Sequence, residues 1–227
     1  MLNFNKFQVL TFDCYGTLID WETGILNALR PIFLKYGINI NDNEILKNYA
    51  EFESEIEKGP YIKYKEVLKK VLKKFGEKFK FSLSKEELNC LVNSLKHWPP
   101  FPDTVSALKK LKEKYKLAII SNIDRDLFAF TQKQLKVEFD WIITSEDIKA
   151  YKPSLENFKY AIKEINVPKE KILHIAQSIY HDINPAKKLG LTTILIKRRG
   201  FGATPSVFGY PDIEVPDLKT LVSLIFS

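Results

Sequence analysis

Phe7-Gln8-Val9-Leu10-Thr11-Phe12-Asp13-Cys14-Tyr15-Gly16-Thr17-Leu18 decides the organisation of this chain. The first six residues are mostly apolar and β-favouring, so they read as a short strand over 7–12. The run stops at a carboxylate, and Asp is a poor strand residue. In an open α/β sheet, ligands bind beyond the carboxyl ends of the strands. Asp13 therefore stands where a nucleophile would be placed. Cys14 beside it reads as a small packing residue.

Outward from that strand, residues 18–97 read as helix. Ile45, Tyr49, Phe52 and Ile56 recur at helical spacing until Gly59-Pro60 breaks the pattern. Ile62, Val67, Leu68, Val71, Leu72 and Phe75 form a second apolar face. Ser84 and Glu87 are spaced as a capping box ahead of Leu88, Leu91, Val92 and Leu95. Pro31 interrupts an earlier helical pattern around 25–36. Trp98-Pro99-Pro100-Phe101-Pro102 then reads as a stiff return linker.

The rest alternates strand and helix. Strand-like runs are Leu117–Ile120, Trp141–Ile143, Ile172–Ala176 and Thr193–Ile196, with helical patterns near 104–115, 125–136, 154–165 and 183–189. This alternation predicts a parallel sheet with helices on both faces. The fold class is α/β, with an all-helical block inserted after the first strand. The expected division is 1–17 with 98–227 as the core and 18–97 as the insertion. A block that begins just past Asp13 is placed to act as a lid, excluding water.

At 227 residues, 45% hydrophobic and 28% charged, the composition is that of an ordinary globular protein. No apolar run is long enough for a membrane span. The N-terminus lacks a signal-peptide pattern, so a cytoplasmic location is expected. Two cysteines, Cys14 and Cys90, fit a reducing compartment. The net charge of +7 comes mostly from lysines spread along amphipathic helices, because the arginines are only Arg30, Arg125, Arg198 and Arg199. Such lysines read as a solvated face, with no nucleic-acid partner expected.

Four loops should converge at the carboxyl edge of the sheet. They carry Asp13, Tyr15 and Thr17; Ser121 and Asn122; Lys152; and Gln177, Ser178, His181 and Asp182. Each polar group follows an apolar strand. Hydroxyls and backbone N–H groups orient a carboxylate nucleophile, and a lysine keeps it ionised. Opposite charges ~4 Å apart attract by roughly 4 kcal/mol at an effective dielectric of ~20. His181 reads equally as a general base or as a capping residue beside Asp182.

In motif order and spacing, nearly the whole chain resembles the haloacid dehalogenase superfamily. Phe12-Asp13-Cys14-Tyr15-Gly16-Thr17-Leu18 is most similar to the first motif of the type II (L-2-haloacid) dehalogenase-like branch. The resemblance implies a Rossmann-like core and a helical cap. It implies that Asp13 is the nucleophile, with Thr17 and Ser121 as its hydrogen-bonding neighbours. Asn122 would line the leaving-group pocket, Lys152 would be the lysine of the third motif and Asp182 the acid of the fourth. Lys152 and Asp182 are expected to pair. Tyr15, Gln177, Ser178 and His181 are the remaining candidates for substrate contact, and a homodimer joined through the cap is compatible with the family.

Two positions bear on the reaction. Phosphatases of the superfamily carry a second Asp two residues after the nucleophile, where this chain has Tyr15. They bind Mg²⁺ through a carboxylate at the position of Gln177. A phenol with an ordinary pKa of ~10 is a poor base at neutral pH, and Mg²⁺ favours anionic oxygens. The expectation is therefore hydrolysis of a small 2-haloacid through an aspartyl ester, with no metal or cofactor. A phosphatase acting on a small phosphorylated metabolite and a non-catalytic binding protein are the alternatives.

The chain also departs from the dehalogenase pattern. Dehalogenases carry an arginine early in the cap, but 41–57 contains only Lys47 among Glu44, Glu51, Glu53, Glu55 and Glu57. Most of these glutamates are expected on the solvent face, with Arg30 or Arg125 as substitutes for the missing arginine. Ile179 and His181 replace an Asn and a Trp of the fourth motif. Arg198 and Arg199 follow the last strand and face either the site or solvent, and Gly200-Phe201-Gly202 reads as a flexible turn.

Overall fold

The computed structural model describes residues 2–198, 200 and 207–227, and its centre is a six-stranded sheet. The strands are β1 (Val9–Phe12), β2 (Lys116–Ser121), β3 (Trp141–Thr144), β4 (Ile172–Ala176), β5 (Thr192–Ile196) and β6 (Ile213–Val215). All pairs are parallel, in the order β3-β2-β1-β4-β5-β6. β1 is therefore central, and the strand order reverses on either side of it, where α/β sheets open a crevice. The short edge strand β6 was not foreseen from the sequence.

The inserted helices are α1 (Trp21–Lys35), α2 (Asp42–Glu57), α3 (Tyr64–Phe79) and α4 (Cys90–Ser94). After them come α5 (Thr104–Lys112), α6 (Arg125–Leu135), α7 (Ser145–Ile148), α8 (Leu155–Ile165), α9 (Asn184–Lys188) and α10 (Leu218–Phe226). Successive strand residues feed opposite faces of the sheet. Leu10, Phe12 and Ile119 join the cluster of Leu108, Phe128 and Leu221 from α5, α6 and α10. Val9, Ala118 and Ile120 join Phe158, Ala161 and Ala186 from α8 and α9. Helices thus cover both faces, as expected for a parallel sheet.

α1 runs unbroken through Pro31, contrary to the expected interruption. Its buried face of Ile25, Leu29, Ile32 and Phe33 holds it, since packing outweighs intrinsic propensity. Ser84 and Glu87 bond reciprocally, at 2.7 and 3.2 Å. They open a 3₁₀ turn over Glu87–Asn89 ahead of the short α4, rather than one longer helix.

The segments entering and leaving the inserted block run side by side. Phe101 N–H donates to Leu18 O at 3.0 Å, and Asp20 N–H donates to Pro99 O at 2.8 Å. The N-terminus of α3 is capped from the sheet side: Asp124 accepts from Tyr64 N at 2.9 Å and Lys65 N at 3.0 Å. A carboxylate there satisfies orphan donors and complements the helix dipole.

Trp98 closes the return linker against Gly24 of α1, where an added Cβ would lie 2.3 Å from the indole. The same indole meets the Tyr15 ring edge-on, with centroids 5.9 Å apart. Gly24→Ala is expected to cost about 1–3 kcal/mol in urea unfolding by overpacking. A change below ~0.5 kcal/mol would show that this contact yields easily.

Candidate active site

Asp13 leaves β1 at the carboxyl edge, its N–H donating to Ile175 O of β4 at 3.1 Å. The chain then folds back, with Leu18 N and Ile19 N donating to Cys14 O at 2.7 and 3.0 Å. Gly16 makes that turn at φ +93°, where a Cβ would crowd Trp21 and Gln177. The turn brings Thr17 beside Asp13: its hydroxyl donates to Asp13 Oδ2 at 2.6 Å and accepts from Gln177 N at 2.9 Å. Cys14 is fully buried in the apolar cluster, and burial pushes its thiol well above the usual range.

Lys152 provides the charge opposite Asp13. Its Nζ donates to Asp13 Oδ1 at 2.9 Å, Asp182 Oδ1 at 2.6 Å and Ile120 O at 3.0 Å. The Asn122 side chain grips the Lys152 backbone, accepting from its N–H at 2.7 Å and donating to its carbonyl at 3.1 Å. Burial, followed by the attraction of Lys152 and the repulsion of Asp182, leaves the Asp13 carboxyl above its ordinary range. Burial acts on Asp182 too, but Lys152 and His174 outweigh it and hold that carboxyl low.

His174 is a residue that sequence reasoning missed. It lies fully buried in β4, with Nε2 3.2 Å from Asp182 Oδ1 and Nδ1 2.9 Å from Thr11 Oγ1. The signal is in the sequence: His174 is the sole polar residue of Ile172–Ala176, and a buried polar group needs partners. Asp182 Oδ1 is thus held twice, while Oδ2 is buried without a partner among the described residues.

These groups line one cavity at the carboxyl edge of the sheet. Tyr15, Ser121, Asn122, Gln177, Ser178 and His181 line it as well. Tyr15 contributes its ring as a wall, because its hydroxyl shares a hydrogen bond with Thr131 at 2.7 Å. Ser121 is not bonded to Asp13, in contrast to the expectation. Its hydroxyl is buried without a partner among the described residues. His181 lies in the middle of a π-helical turn over Ile179–Ile183, with Nδ1 3.1 Å from Ser178 Oγ. Burial lowers its pKa to about 4, so the ring is neutral at physiological pH.

The inserted helices close the cavity with Trp21, Glu53, Glu57 and Tyr64. The expectation that most of the glutamates face solvent holds for three of the five. Glu44, Glu51 and Glu55 are exposed, but Glu53 is buried and Glu57 half-buried, both turned to the cavity. Tyr49, Glu53 and Glu57 are spaced i, i+4 on α2, so they share a face next to the apolar one. Glu53 Oε1 accepts from Tyr64 OH at 2.6 Å and Tyr49 OH at 3.0 Å. Lys47 is exposed.

No substitute arginine enters the cavity among the described residues. Arg30 pairs with Asp42, and Arg125 with Asp147. Arg198 is buried over Phe101, where it braces the motif by donating to Thr17 O at 3.1 Å and Asp103 Oδ1 at 2.8 Å. Arg199, Phe201 and Gly202 lie outside the described residues.

Burial raises the Glu53 carboxyl from 4.5 to about 7, against the opposing tyrosine hydrogen bonds. A carboxyl raised on folding favours the native state below its unfolded pKa and loses that advantage as pH climbs through the folded value. Glu53→Gln should therefore gain on the wild type between pH 5 and 8, by ~3 kcal/mol from the size of the shift. Urea unfolding at the two pH values measures this. An unchanged difference would mean that Glu53 carries no such strain.

The fold and the site define an α/β protein whose central strand presents a lysine-paired aspartate beneath inserted helices. The chain belongs to the haloacid dehalogenase-like hydrolases, whose family model matches residues 10–196. It is 26% identical over 219 residues to an (S)-2-haloacid dehalogenase of Pseudomonas putida, covering 94% of each chain. It is 30% identical over 131 residues to a glyceraldehyde 3-phosphate phosphatase of Methanocaldococcus jannaschii, covering 56% of each. An L-2-haloacid dehalogenase structure from Xanthobacter autotrophicus superposes with a TM-score of 0.83 at 19% identity, over 97% of this chain and 99% of that one. Among the described residues, no helix is long and apolar enough to cross a membrane.

The donor set is a poor match for the Mg²⁺ that phosphatases of the family use. Tyr15 and Gln177 are neutral where carboxylates would serve, and the Lys152 ammonium already bridges Asp13 and Asp182. Mg²⁺ favours anionic oxygens arranged octahedrally.

Proposed function

We propose that this protein hydrolyses a carbon–halide bond in a small organic halide, through a covalent ester on Asp13. Residues 18–97 act as a cap over a core formed by 1–17 and 98–227. The observation that carries this reading is the pairing of Asp13 with Lys152 and Thr17, next to a Tyr15 hydroxyl that is already engaged.

In the first step an Asp13 oxygen forms a bond to the substrate carbon, and the carbon–halogen bond breaks with its electron pair leaving on halide. The Thr17 and Lys152 hydrogen bonds hold the carboxylate in one plane, and the cap excludes competing water. In the second step a water oxygen adds to Asp13 Cγ as Asp182 Oδ2 takes its proton. Lys152 and Thr17 then stabilise the negative charge that develops on the former carboxylate oxygens. Collapse breaks the Cγ–O bond to the substrate carbon, and the leaving alkoxide recovers a proton from Asp182. His174 positions Asp182 for this exchange by holding Oδ1, which leaves Oδ2 for water. Ser121 Oγ is a donor in reserve for the ligand.

Halide release from short 2-chloro compounds, with mass spectrometry of the Asp13 peptide under single turnover, tests this reading. Release together with an adduct at Asp13 supports it. Neither halide nor adduct across acidic, neutral and basic 2-chloro compounds would overturn it. The resemblance to the Methanocaldococcus jannaschii phosphatase favours a second reading. Mg²⁺-dependent hydrolysis of p-nitrophenyl phosphate, lost in Asp13→Asn, would establish that one instead.

A further inference from the structure

We propose, resting on the reading of this cavity as the substrate site, that Glu53 and Glu57 recognise a cationic group on the substrate, an ammonium or amidinium. The favoured substrate is then a small organic cation with its reactive carbon towards Asp13, not an anionic 2-haloacid.

Charge is the first support. Asp13, Asp182, Glu53 and Glu57 line one cavity, and among the described residues Lys152 is its only lysine or arginine. The Lys152 ammonium is spent on Asp13 and Asp182. Glu53 has two phenolic donors but no cation, and Glu57 accepts only a long 3.5 Å contact from Asn122 Nδ2 among the described residues. A substrate carboxylate would add another negative charge beside them. A substrate cation would supply the charge that the cap side lacks. Burial pushes both glutamate carboxyls upward, and the charge of Glu53 adds to this at Glu57, so a cation seated between them would draw both towards the ionised form.

The cavity's other walls agree independently. Tyr15, Trp21 and Tyr64 all line it, and aromatic faces attract organic cations. The Ser121 hydroxyl, 2% exposed and without a partner among the described residues, is a polar group awaiting a ligand on the same wall as Asp13. The cation selects the substrate at the cap end, and Ser121 and Asp13 meet its reactive end.

Three unreactive probes of nearly one shape test this: isobutyramidinium, isobutyramide and isobutyrate. Titration calorimetry on the whole protein requires no turnover, so failure to form an Asp13 ester leaves the result intact. The amidinium should bind about tenfold more tightly than isobutyrate, a difference of ~1.4 kcal/mol, with the amide between them. Glu53→Gln and Glu57→Gln together should remove that order while the amide affinity stays within about twofold, ~0.4 kcal/mol. Isobutyrate binding as tightly as the amidinium would overturn the proposal. So would an amidinium preference that survives the double substitution, because Asp13 would then be the cation's partner. Absence of binding by all three probes counts against it equally.

Discussion

Lys152→Met is expected to destabilise the protein by about 3–5 kcal/mol, the usual cost of breaking a buried ion pair from one side, and to abolish turnover. Lys152 is 2% exposed, and its ammonium donates to Asp13, Asp182 and Ile120 O. Methionine fills similar space but leaves two buried carboxyls facing each other without a counter-charge. Both then hold protons more tightly in the native state than in the unfolded chain. Stability is kept at low pH and lost as pH rises through those raised values. The loss in urea unfolding should thus be larger at pH 8 than at pH 5. A Lys152→Met protein within ~1 kcal/mol of wild type at pH 8 would mean that the ammonium does only what a surface ion pair does.

Asp13→Asn should lower turnover by at least about a thousandfold, the scale of losing a nucleophile, and remove any adduct from that peptide. Its effect on stability should be opposite in sign to that of Lys152→Met. Burial and the charge of Asp182 raise the Asp13 carboxyl, so the native state holds this charge at a cost. A neutral isostere removes the repulsion and leaves Lys152 paired with Asp182 alone. Unfolding free energy at pH 8 should be unchanged or higher by up to about 1 kcal/mol, the exchange of stability for activity common at working sites. Residual turnover above a tenth of wild type would remove Asp13 from the role of nucleophile. A large loss of stability with activity gone would leave the catalytic and structural roles unseparated, and Asp13→Asn,Lys152→Met would then decide. If the two carboxyls oppose each other, the double variant is more stable than Lys152→Met.

The strands flanking the site were legible because each is a short apolar run ending in a polar residue, and buried parallel strands need little more than that. Phe7–Phe12 with Asp13, Leu117–Ile120 with Ser121 and Ile172–Ala176 with Gln177 are such cases. β6 was missed because Ile213-Glu214-Val215 is too short for a periodic signal, and its place at the sheet edge comes from pairing with β5. Pro31 misled because local propensity was read without the buried face that outweighs it. The helical pattern of α2 was clear from Ile45, Tyr49, Phe52 and Ile56. It marks only the face that packs on apolar neighbours, however, and says nothing of a second face buried against a polar cavity.

That difference separates the two sources of information about this protein. The sequence alone determined that a carboxylate ends the first strand, that a lysine and a second acid follow later strands, and that helices are inserted between the first strand and the rest. Each of these is written locally, in side-chain periodicity and in the residue type at a strand end. Only the tertiary structure decided which groups meet. It joined Lys152 to both Asp13 and Asp182, set His174 beneath Asp182, sent Arg30 and Arg125 to the surface and turned Glu53 and Glu57 inward. Those outcomes depend on where residues far apart in the chain are brought together in space, and on how burial and neighbouring charge then act on them, neither of which a linear pattern encodes.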